Sequence, residues 1–542
     1  MKQLGPVLQF LGDNDGDWGV SALVVTDKAD AAPVLGLRLD GGAAVVVGVA
    51  AQAAVPGLNC TAWRLDFAVK RTGAPQKASY NVAGSSAEFV VPARGELPSM
   101  AYGSCNGFSD PALMTKVKDQ NAMWSRLTRL HNLQDRLDDQ VFGPHHILLM
   151  GGDQIYSDSM WAVVPTLKDW FELSYAQRMA APFSTSMQTE LQTFFSGLYV
   201  KRWSQPEVAL ALASLPTVMM WDDHDIMDGW GSFPQEMHTC AVYQGIFSVA
   251  KAAFELFQRQ MMGTAVPATL PGQAAYSSGY VIGDMGILVL DMRSERCPSW
   301  IEETPTGQVL HAAQVLSDQS WKAAYDWLSA QEKRNTMKHL FVMSSIPVVH
   351  PSFELLEKLL GMFPGQQELE DDLRDHWTSK PHSGERKRLI HRLLQASAGG
   401  IRVTLLSGDV HVAALGVIES DRADIEPGRG VINQLTASGI VHPAPPGVAM
   451  FFLEQACEKV EVIDRGITGT MFEFPTTRHR LIGCRNFLTL QPDHSANHAN
   501  QRYWANWWAE GEPHPYTKVI HGLRGKPTVL PAAIIPDAPP KP

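Results

Sequence analysis

The chain has 542 residues, of which 45% are hydrophobic and 19% are charged, so the composition excludes a disordered chain. At roughly 150 residues per domain, this length predicts two to four domains with a large core. The formal charge of −11 argues against binding to the phosphate backbone of nucleic acids and to anionic membranes. Six scattered cysteines without a C-x-x-C pair are not typical of a disulfide scaffold, and we expect reduced thiols.

Residues 1–95 contain short β segments, at 20–25, 44–49 and 63–69, and they predict a small N-terminal β-sandwich domain. The uncharged stretch 41–63 is long enough for a membrane helix, but its glycines and Pro56 favour two buried strands with a turn. The N-terminus shows no apolar signal segment, so we expect a soluble cytoplasmic protein. Export of a longer precursor is the alternative.

From about residue 96 the pattern changes to strands alternating with helices, which predicts an α/β core over residues 96–445. The predicted strands are 99–104, 146–150, 217–221, 287–290, 340–343 and 402–406. The predicted helices are 116–137, 237–262, 320–330 and 385–394. Residues 446–542 are expected to pack on the core as a C-terminal extension, with a proline-rich tail at 531–542 that straps the surface or is disordered.

Side chains of the kinds that bind metals follow four of these strands. They are Cys105, Asp153, the run Asp222-Asp223-His224-Asp225 with Asp228, and the pair Asp409 and His411. Ligands of open α/β sheets bind outside the carboxyl ends of the strands, so these residues should meet at one edge. An aspartate after a strand is commonly a helix N-cap, and a single buried cysteine is commonly inert. The coincidence of four such strand ends favours a site at which cations lie among the anions.

These motifs resemble those of the PhoD-like phosphatases, a branch of the calcineurin-like metallophosphoesterases. The matching segments are 103–105, 152–158, 221–225, 290–296 and 407–411, which occur in the order that the family shows. The resemblance extends from about residue 101 to 438. It implies a four-layer αββα core preceded by a small β domain, as well as a hydrolase of the alkaline phosphatase D type.

The resemblance also implies a site for two metal ions. Asp153 would bridge both ions, and Cys105 and His411 would hold one of them. Asp409 would hold the other, together with either Asp223 or Asp228. A tyrosine is a further ligand in the family, and the choice between Tyr199 and Tyr156 stays open. Known PhoD-like sites hold iron beside calcium, so Fe³⁺ and Ca²⁺ are expected, with Mn²⁺, Mg²⁺ or Zn²⁺ as alternatives.

The chain departs from the wider superfamily after the strand 340–343, where Ser344 and Ser345 replace a histidine ligand. One metal site should therefore be poorer in imidazole and richer in carboxylate. Hard oxygen ligands favour Ca²⁺, Mn²⁺ or Mg²⁺, whereas thiolate with imidazole suits iron or zinc.

The expected chemistry is metal-dependent hydrolysis of phosphate monoesters, diesters or both, by attack of a metal-bridging hydroxide. His224 is the candidate acid for the leaving group, since the ordinary pKa of imidazole lies near neutrality. Arg293 could hold a phosphate oxygen, or instead pair with Asp291 or Glu295 and support the wall of the site.

The expected substrate is a small phosphorylated compound. One alternative is a phosphodiesterase specific for nucleotides or lipid head groups. Another is a non-catalytic binding protein with a vestigial metal core. The sequence has no G-x-S-x-G elbow and no G-x-x-x-x-G-K-[ST] loop, which argues against a serine hydrolase and against a nucleotide-driven motor.

Overall fold

The computed structural model of the chain describes residues 1–137, 140–263, 268–305, 307–350, 377, 382–426, 428–495 and 502–523. Two large sheets form its centre. The strands of the first are β1 (Lys2–Asn14), β2 (Asp17–Asp27), β5 (Ala51–Ala54), β6 (Cys60–Lys70), β9 (Met100–Gly103), β12 (Ile147–Gly151), β13 (Thr217–Met220), β25 (Asn486–Pro492), β26 (Arg502–Ala509) and β27 (Tyr516–His521). Their spatial order is β27-β26-β25-β9-β12-β13-β1-β2-β6-β5.

The second large sheet has the order β14-β15-β18-β19-β21-β20-β23-β22, with β24 paired to β20. Its strands are β14 (Ser278–Ile282), β15 (Met285–Val289), β18 (His339–Met343), β19 (Arg402–Ser407), β20 (Ala413–Ser420), β21 (Val431–Ala437), β22 (Glu461–Asp464), β23 (Ile467–Phe472) and β24 (Leu481–Ile482).

Smaller sheets complete the β structure. Strands β3 (Leu35–Leu39), β4 (Val45–Val47), β7 (Gln76–Val82) and β8 (Ser85–Val91) form a four-stranded sheet. Two hairpins consist of β10 (Arg136–Leu137) with β11 (Gln140–Val141), and of β16 (Trp300–Thr304) with β17 (Gly307–His311).

The helices of the described residues lie mainly in the connections between core strands. They are α1 (Pro111–Lys116), α2 (Ala122–His131), α3 (Met160–Val163), α4 (Pro165–Phe171), α5 (Tyr175–Ala180), α6 (Thr185–Trp203), α7 (Pro206–Ser214), α8 (Gln235–His238), α9 (Ala241–Phe257), α10 (Asp318–Arg334), α11 (Ser383–Ala398) and α12 (Gly447–Ala456). Helix α10 shows how sequence sets the bounds, because Ser317 caps its N-terminus through the Ser320 N–H and Asn335 ends it at a φ of 53°.

Both large sheets contain a parallel centre. In the first, β9, β12 and β13 are parallel neighbours, and in the second β15, β18, β19 and β21 are. Such strands are buried on both faces, and this explains why their sequences are continuous runs of apolar residues. All six strands predicted for the core are present, with ends that differ by one or two residues.

The burial pattern of the first sheet shows the layers. On β12, Leu149 joins a core shared with the second sheet and helices α10 and α11, whereas Leu148 faces a core formed with α2, α6, α7 and α9. The order of layers is therefore helices, sheet, sheet, helices. The predicted α/β class with a four-layer core is confirmed.

The N-terminal strands β1, β2, β5 and β6 share a sheet with the core instead of forming a separate domain. The four-stranded sheet packs on the β2–β6 end of the first large sheet, with Phe67 and Phe89 rings 6.1 Å apart. This is the predicted small β-sandwich, but one of its layers is continuous with the core sheet. Strands β25, β26 and β27 extend the same sheet beyond β9. The domain boundaries at 95 and 445 stay predictions, and the tail 531–542 lies outside the described residues.

The prediction for the stretch 41–63 is partly wrong. It does form strands, but Val45 is 61% and Val46 is 73% exposed, because β4 and β5 lie at the edges of their sheets.

No described helix is both long and apolar enough to cross a membrane. All six cysteines are free, as predicted.

The shared core between the sheets generates a stability prediction. We expect L149A to lower the free energy of unfolding by about 2–5 kcal/mol, because Leu149 is fully buried and its truncation leaves a cavity. The matched control V462A shortens a side chain that is 76% exposed, and it should change the free energy of unfolding by less than about 0.5 kcal/mol. Denaturant midpoints measure both, and equal midpoints would contradict the assigned packing.

Candidate metal centre

The polar residues of the site have a common position in the fold. Each lies two residues beyond the end of a parallel core strand, so that the two sheets present them at the same edge. From the first sheet these residues are Cys105, Asp153 and Asp222, and from the second sheet they are Asp291, Ser345 and Asp409.

Contacts between the loops of the two sheets close this edge. Ser104 donates a hydrogen bond from Oγ to the carbonyl of Ala437 (3.2 Å), and Ile440 N–H donates to the carbonyl of Ser104 (3.0 Å). At Gly408 an added Cβ would lie 2.4 Å from the Ser104 Oγ atom. Glycine at 408 therefore permits the close approach that brings the two sets of strand ends together.

Four of the predicted ligands have a left-handed backbone. The φ angles are 57° at Cys105, 53° at Asp153, 70° at Asp409 and 54° at His411. Residues other than glycine rarely adopt this region, and such strain concentrates at functional sites where the surroundings enforce it. The fold thus fixes the directions of these side chains at a cost in stability.

One group of ligand atoms combines sulfur, nitrogen and oxygen. Ligand atoms of Cys105, Asp153 and His411 lie within 4.8 Å of one another. The Cys105 Sγ is 3.3 Å from Asp153 Oδ2, and the Tyr156 hydroxyl is 3.1 Å from His411 Nε2 and 3.5 Å from Asp153 Oδ2. Tyr156 thus lies at this group. Tyr199 lies elsewhere, where its hydroxyl accepts a hydrogen bond from Gln258 Nε2 (2.8 Å).

A second group contains oxygen ligands alone. Carboxylate oxygens of Asp153, Asp222, Asp223 and Asp409 lie within 4.8 Å of one another, so Asp153 belongs to both groups. Asp223 Oδ2 also accepts the Gly229 N–H (2.8 Å). Asp222 and Asp223 of this segment both belong to the second group, whereas Asp228 is in neither of the two groups found among the described residues.

His224 faces the same carboxylates from the other side. One ring nitrogen lies within 4.8 Å of Asp153 and Asp223 oxygens, while Nδ1 is 2.8 Å from Asp158 Oδ2. Its ring stacks on Tyr156, with centroids 4.3 Å apart. Burial alone would lower the pKa of His224, but Asp158 and Asp223 raise that pKa well above its usual range.

Arg293 is completely buried beneath the oxygen group. Its Nε donates to Asp222 Oδ1, Nη1 donates to the carbonyl of Trp230 (3.1 Å), and Nη2 is 3.3 Å from Asp223 Oδ1. Asp291 accepts hydrogen bonds from the Arg293 backbone N–H (3.2 Å) and the Trp221 indole (2.8 Å). The guanidinium therefore holds carboxylates of the site in place.

His442 is a residue of the site that sequence reasoning missed. Its ring stacks on His411 with centroids 3.6 Å apart, its Nδ1 donates to the carbonyl of Pro443 (2.8 Å), and its Nε2 is 3.0 Å from Ser109 Oγ. Burial lowers its pKa to about 3, so the ring stays neutral beside His411. In the sequence, His442 comes soon after strand β21, as Asp409 and His411 come soon after β19. This position could have identified it as a candidate ligand.

The electrostatics fit bound cations. Asp153 Oδ1 and Asp222 Oδ2 are buried without a hydrogen-bond partner among the described residues. Burial, together with the neighbouring carboxylates, raises the pKa of both carboxyl groups well above the ordinary range. Buried carboxylates that face one another require a positive counter-charge, and the donor set of sulfur, imidazole and oxygen is one that metal ions accept.

Comparison with known proteins decides the family. A family model described as PhoD related phosphatase matches residues 76–365 and 354–482. The chain belongs to this family. Membership confirms the resemblance that the motifs indicated.

A curated relative of this PhoD-related phosphatase is the uncharacterized protein YGR266W of Saccharomyces cerevisiae, which is 26% identical over 470 residues. The match covers 74% of this chain and 65% of the yeast protein's length. A solved structure titled "Structure of PhoD" has a TM-score of 0.53 at 13% identity, with 96% of this chain and 88% of that chain covered, and it shares the fold. The purple acid phosphatase PPD1 from yellow lupin (Lupinus luteus) seeds has a TM-score of 0.48 at 10% identity, with 95% and 74% covered.

The raised carboxyl pKa values predict a pH dependence of stability in the metal-free phosphatase. Asp153 and Asp222 hold protons in the folded state that the unfolded chain releases above a pKa of 3.8, so folding stability should fall as the pH rises. His411 and His442, whose pKa values burial lowers, act in the opposite sense, but their effect is complete above the ordinary histidine pKa of 6.5. His224, whose pKa is raised, acts in the same sense as the two carboxyl groups.

We therefore expect the melting temperature of chelator-treated protein to decrease between about pH 7 and pH 9. Added Ca²⁺ or Mn²⁺ should flatten this slope, because cations stabilise the ionised carboxylates. Calorimetry at several pH values measures the slope. A melting temperature that rises over this interval in the metal-free protein would contradict the assigned electrostatics.

Proposed function

We propose that this PhoD-related phosphatase hydrolyses phosphate monoesters, diesters or both at a centre for two cations. Cys105, Asp153, His411 and Tyr156 would hold one cation, and Asp153, Asp223 and Asp409 the other. The observation that carries the proposal is the place of Asp153 in both ligand groups. Two cations so placed supply the charge that binds a phosphate group and lower the pKa of the attacking water.

The two ligand groups differ in chemical softness, and this supports two different metals. The thiolate of Cys105 with the imidazole of His411 suits iron or zinc, whereas oxygen ligands alone suit Ca²⁺, Mg²⁺ or Mn²⁺. We therefore propose Fe³⁺ in the first group and Ca²⁺ in the second, as the motif resemblance implies.

His224 is the proposed acid for the leaving group. Its Nδ1–H donates to Asp158, which fixes the ring and leaves Nε2 to carry the proton that is transferred. Asp158, which is outside both ligand groups, raises the pKa of His224 and so favours the protonated ring that a general acid requires. Tyr156 supports the ring from one face.

Arg293 is proposed to position ligands rather than to contact the substrate. Its side chain is fully buried and is engaged with Asp222, Asp223 and Trp230. These contacts support the second of the two roles expected for Arg293, that of supporting the wall of the site, with Asp222 and Asp223 as carboxylate contacts where Asp291 or Glu295 was expected.

The substrate in this proposal is a small phosphorylated compound rather than a nucleic-acid backbone, since the chain carries a charge of −11. A phosphodiesterase specific for nucleotides or lipid head groups is the second candidate. Retention of the complete ligand set supports an enzyme over a binding protein with a vestigial core. A cytoplasmic location stays a prediction from the sequence.

A pair of variants separates metal binding from proton transfer. D153A should abolish turnover of p-nitrophenyl phosphate and reduce bound metal, because both ligand groups lose their shared carboxylate. H224A should keep the bound metal. With phenyl phosphate, whose phenolate is a poor leaving group, H224A should lower kcat by roughly 10²–10⁴-fold. Metal analysis and steady-state kinetics on the same preparations measure both effects.

The leaving group provides the control for His224. With p-nitrophenyl phosphate, whose leaving group needs little protonation, the loss in H224A should be much smaller. Equal losses with the two esters would show that His224 does not protonate the leaving group. Full activity of D153A would contradict the shared-carboxylate centre itself.

A further inference from the structure

We infer that Asp222 is itself a ligand in the oxygen group and that it selects a hard divalent cation there. The motif resemblance implies Asp223 or Asp228 in this role and assigns none to Asp222. The inference rests on the proposed function, because it concerns the same pair of cation sites.

The orientation of the Asp222 carboxylate is fixed by donors on one oxygen. Its Oδ1 accepts hydrogen bonds from Arg293 Nε and from Ser345 Oγ (2.9 Å). Its Oδ2 is completely buried and has no hydrogen-bond partner in the part of the chain that the structure describes. One oxygen of the Asp222 carboxylate lies within 4.8 Å of ligand oxygens of Asp153, Asp223 and Asp409.

A simple ion pair with Arg293 does not account for this arrangement. A guanidinium commonly binds a carboxylate through two parallel N–H bonds, one to each oxygen. Here Nε bonds Oδ1, while Nη1 reaches the carbonyl of Trp230 and Nη2 lies 3.3 Å from Asp223 Oδ1. Arg293 therefore spans two carboxylates and bonds Asp222 through Oδ1, while Asp222 Oδ2 has no hydrogen-bond partner among the described residues.

The energy of the buried group points to a cation in the same place. Oxygens of four buried or half-buried carboxylates lie within 4.8 Å of one another, and the Arg293 guanidinium is hydrogen-bonded to one of them, Asp222. A buried charged oxygen without a partner is costly, and removing the cost requires protonation or a positive charge. A divalent cation among these oxygens supplies that charge.

The position of Asp222 in the fold matches that of the other ligands. It follows β13 by two residues, as Asp153 follows β12 and Asp409 follows β19. Gly152, at a φ of 111°, allows the chain before Asp153 to pass so close that an added Cβ would lie 2.7 Å from the Asp222 Cβ. The two aspartates are therefore adjacent in a fixed register.

Ser345 explains why this site would prefer hard ions. It lies two residues beyond the end of β18, and its hydroxyl orients Asp222 instead of offering an imidazole. The resulting group has carboxylate oxygens alone, and Ca²⁺, which takes about six to eight oxygen ligands, suits such a set. Asp222 thus determines which class of cation binds beside the Cys105 group.

The test is the D222N variant, with Ca²⁺ and Co²⁺ as separate probes. Two donors point at the Oδ1 position, so the asparagine must put its amide oxygen there and turn its NH₂ toward the cation. We expect Ca²⁺ affinity, measured by calorimetric titration of chelator-treated protein, to fall by at least about 10–100-fold. The thiolate-to-Co²⁺ absorption band from Cys105 should persist, which shows that the neighbouring group is intact.

D13N is the matched control. Asp13 also pairs with a buried arginine, Arg71, and accepts a backbone N–H from Gly16 (3.0 Å), but it lies in the β1–β2 hairpin away from the site. The Ca²⁺ affinity of the D13N variant should equal that of the wild-type protein. If D222N does not fold, D222E displaces the ligand oxygen by one methylene and should weaken Ca²⁺ binding while the Co²⁺ band remains.

The outcomes separate this inference from the proposed function. Wild-type Ca²⁺ affinity in folded D222N, or in D222E if D222N is unfolded, overturns the inference and assigns Asp222 to positioning alone. A wild-type protein that binds both probes but hydrolyses no phosphate ester overturns the proposed function and leaves Asp222 as a ligand. Loss of Ca²⁺ binding in D222N with retained Co²⁺ binding supports the inference.

Discussion

Repulsion among buried carboxylates is the constraint on which the rest of this structure depends. Asp153, Asp222 and Asp223 are almost completely buried, their ligand oxygens and that of Asp409 lie within 4.8 Å of one another, and the guanidinium of Arg293 contacts Asp222 and Asp223. Such a group is unfavourable in the absence of cations. The left-handed backbone at four ligand positions adds to the cost, and the large core between the two sheets offsets both.

The rigidity of the scaffold makes this arrangement of buried carboxylates possible. Parallel strands of two sheets end at one edge, and contacts such as Ser104 with Ala437 hold the loops of one sheet against those of the other. Residues placed this way keep their directions without help from a ligand, which is the preorganisation that catalysis on charged groups requires. The electrostatic cost of bringing these carboxylates together becomes binding energy for cations.

Much of the site could be predicted because strand ends are local features. Apolar runs followed by Gly, Asp, Cys or His identified Cys105, Asp153, Asp409 and His411. Whether Asp222, Asp223 or Asp228 enters the site depends on the turn after β13, which the sequence alone does not define. His442 and Ser345 become visible only through contacts between strands distant in sequence. The pairing of the N-terminal strands and of β25 with the core sheet was missed for the same reason.

The most direct measurement is the metal content of the purified protein together with turnover of p-nitrophenyl phosphate and bis-p-nitrophenyl phosphate, before and after chelation. The account predicts about two metal ions per chain and turnover that chelation abolishes and added cations restore. The preferred ester then distinguishes a monoesterase from a diesterase. A protein that binds no metal and stays inactive with added iron, calcium and manganese would contradict the account.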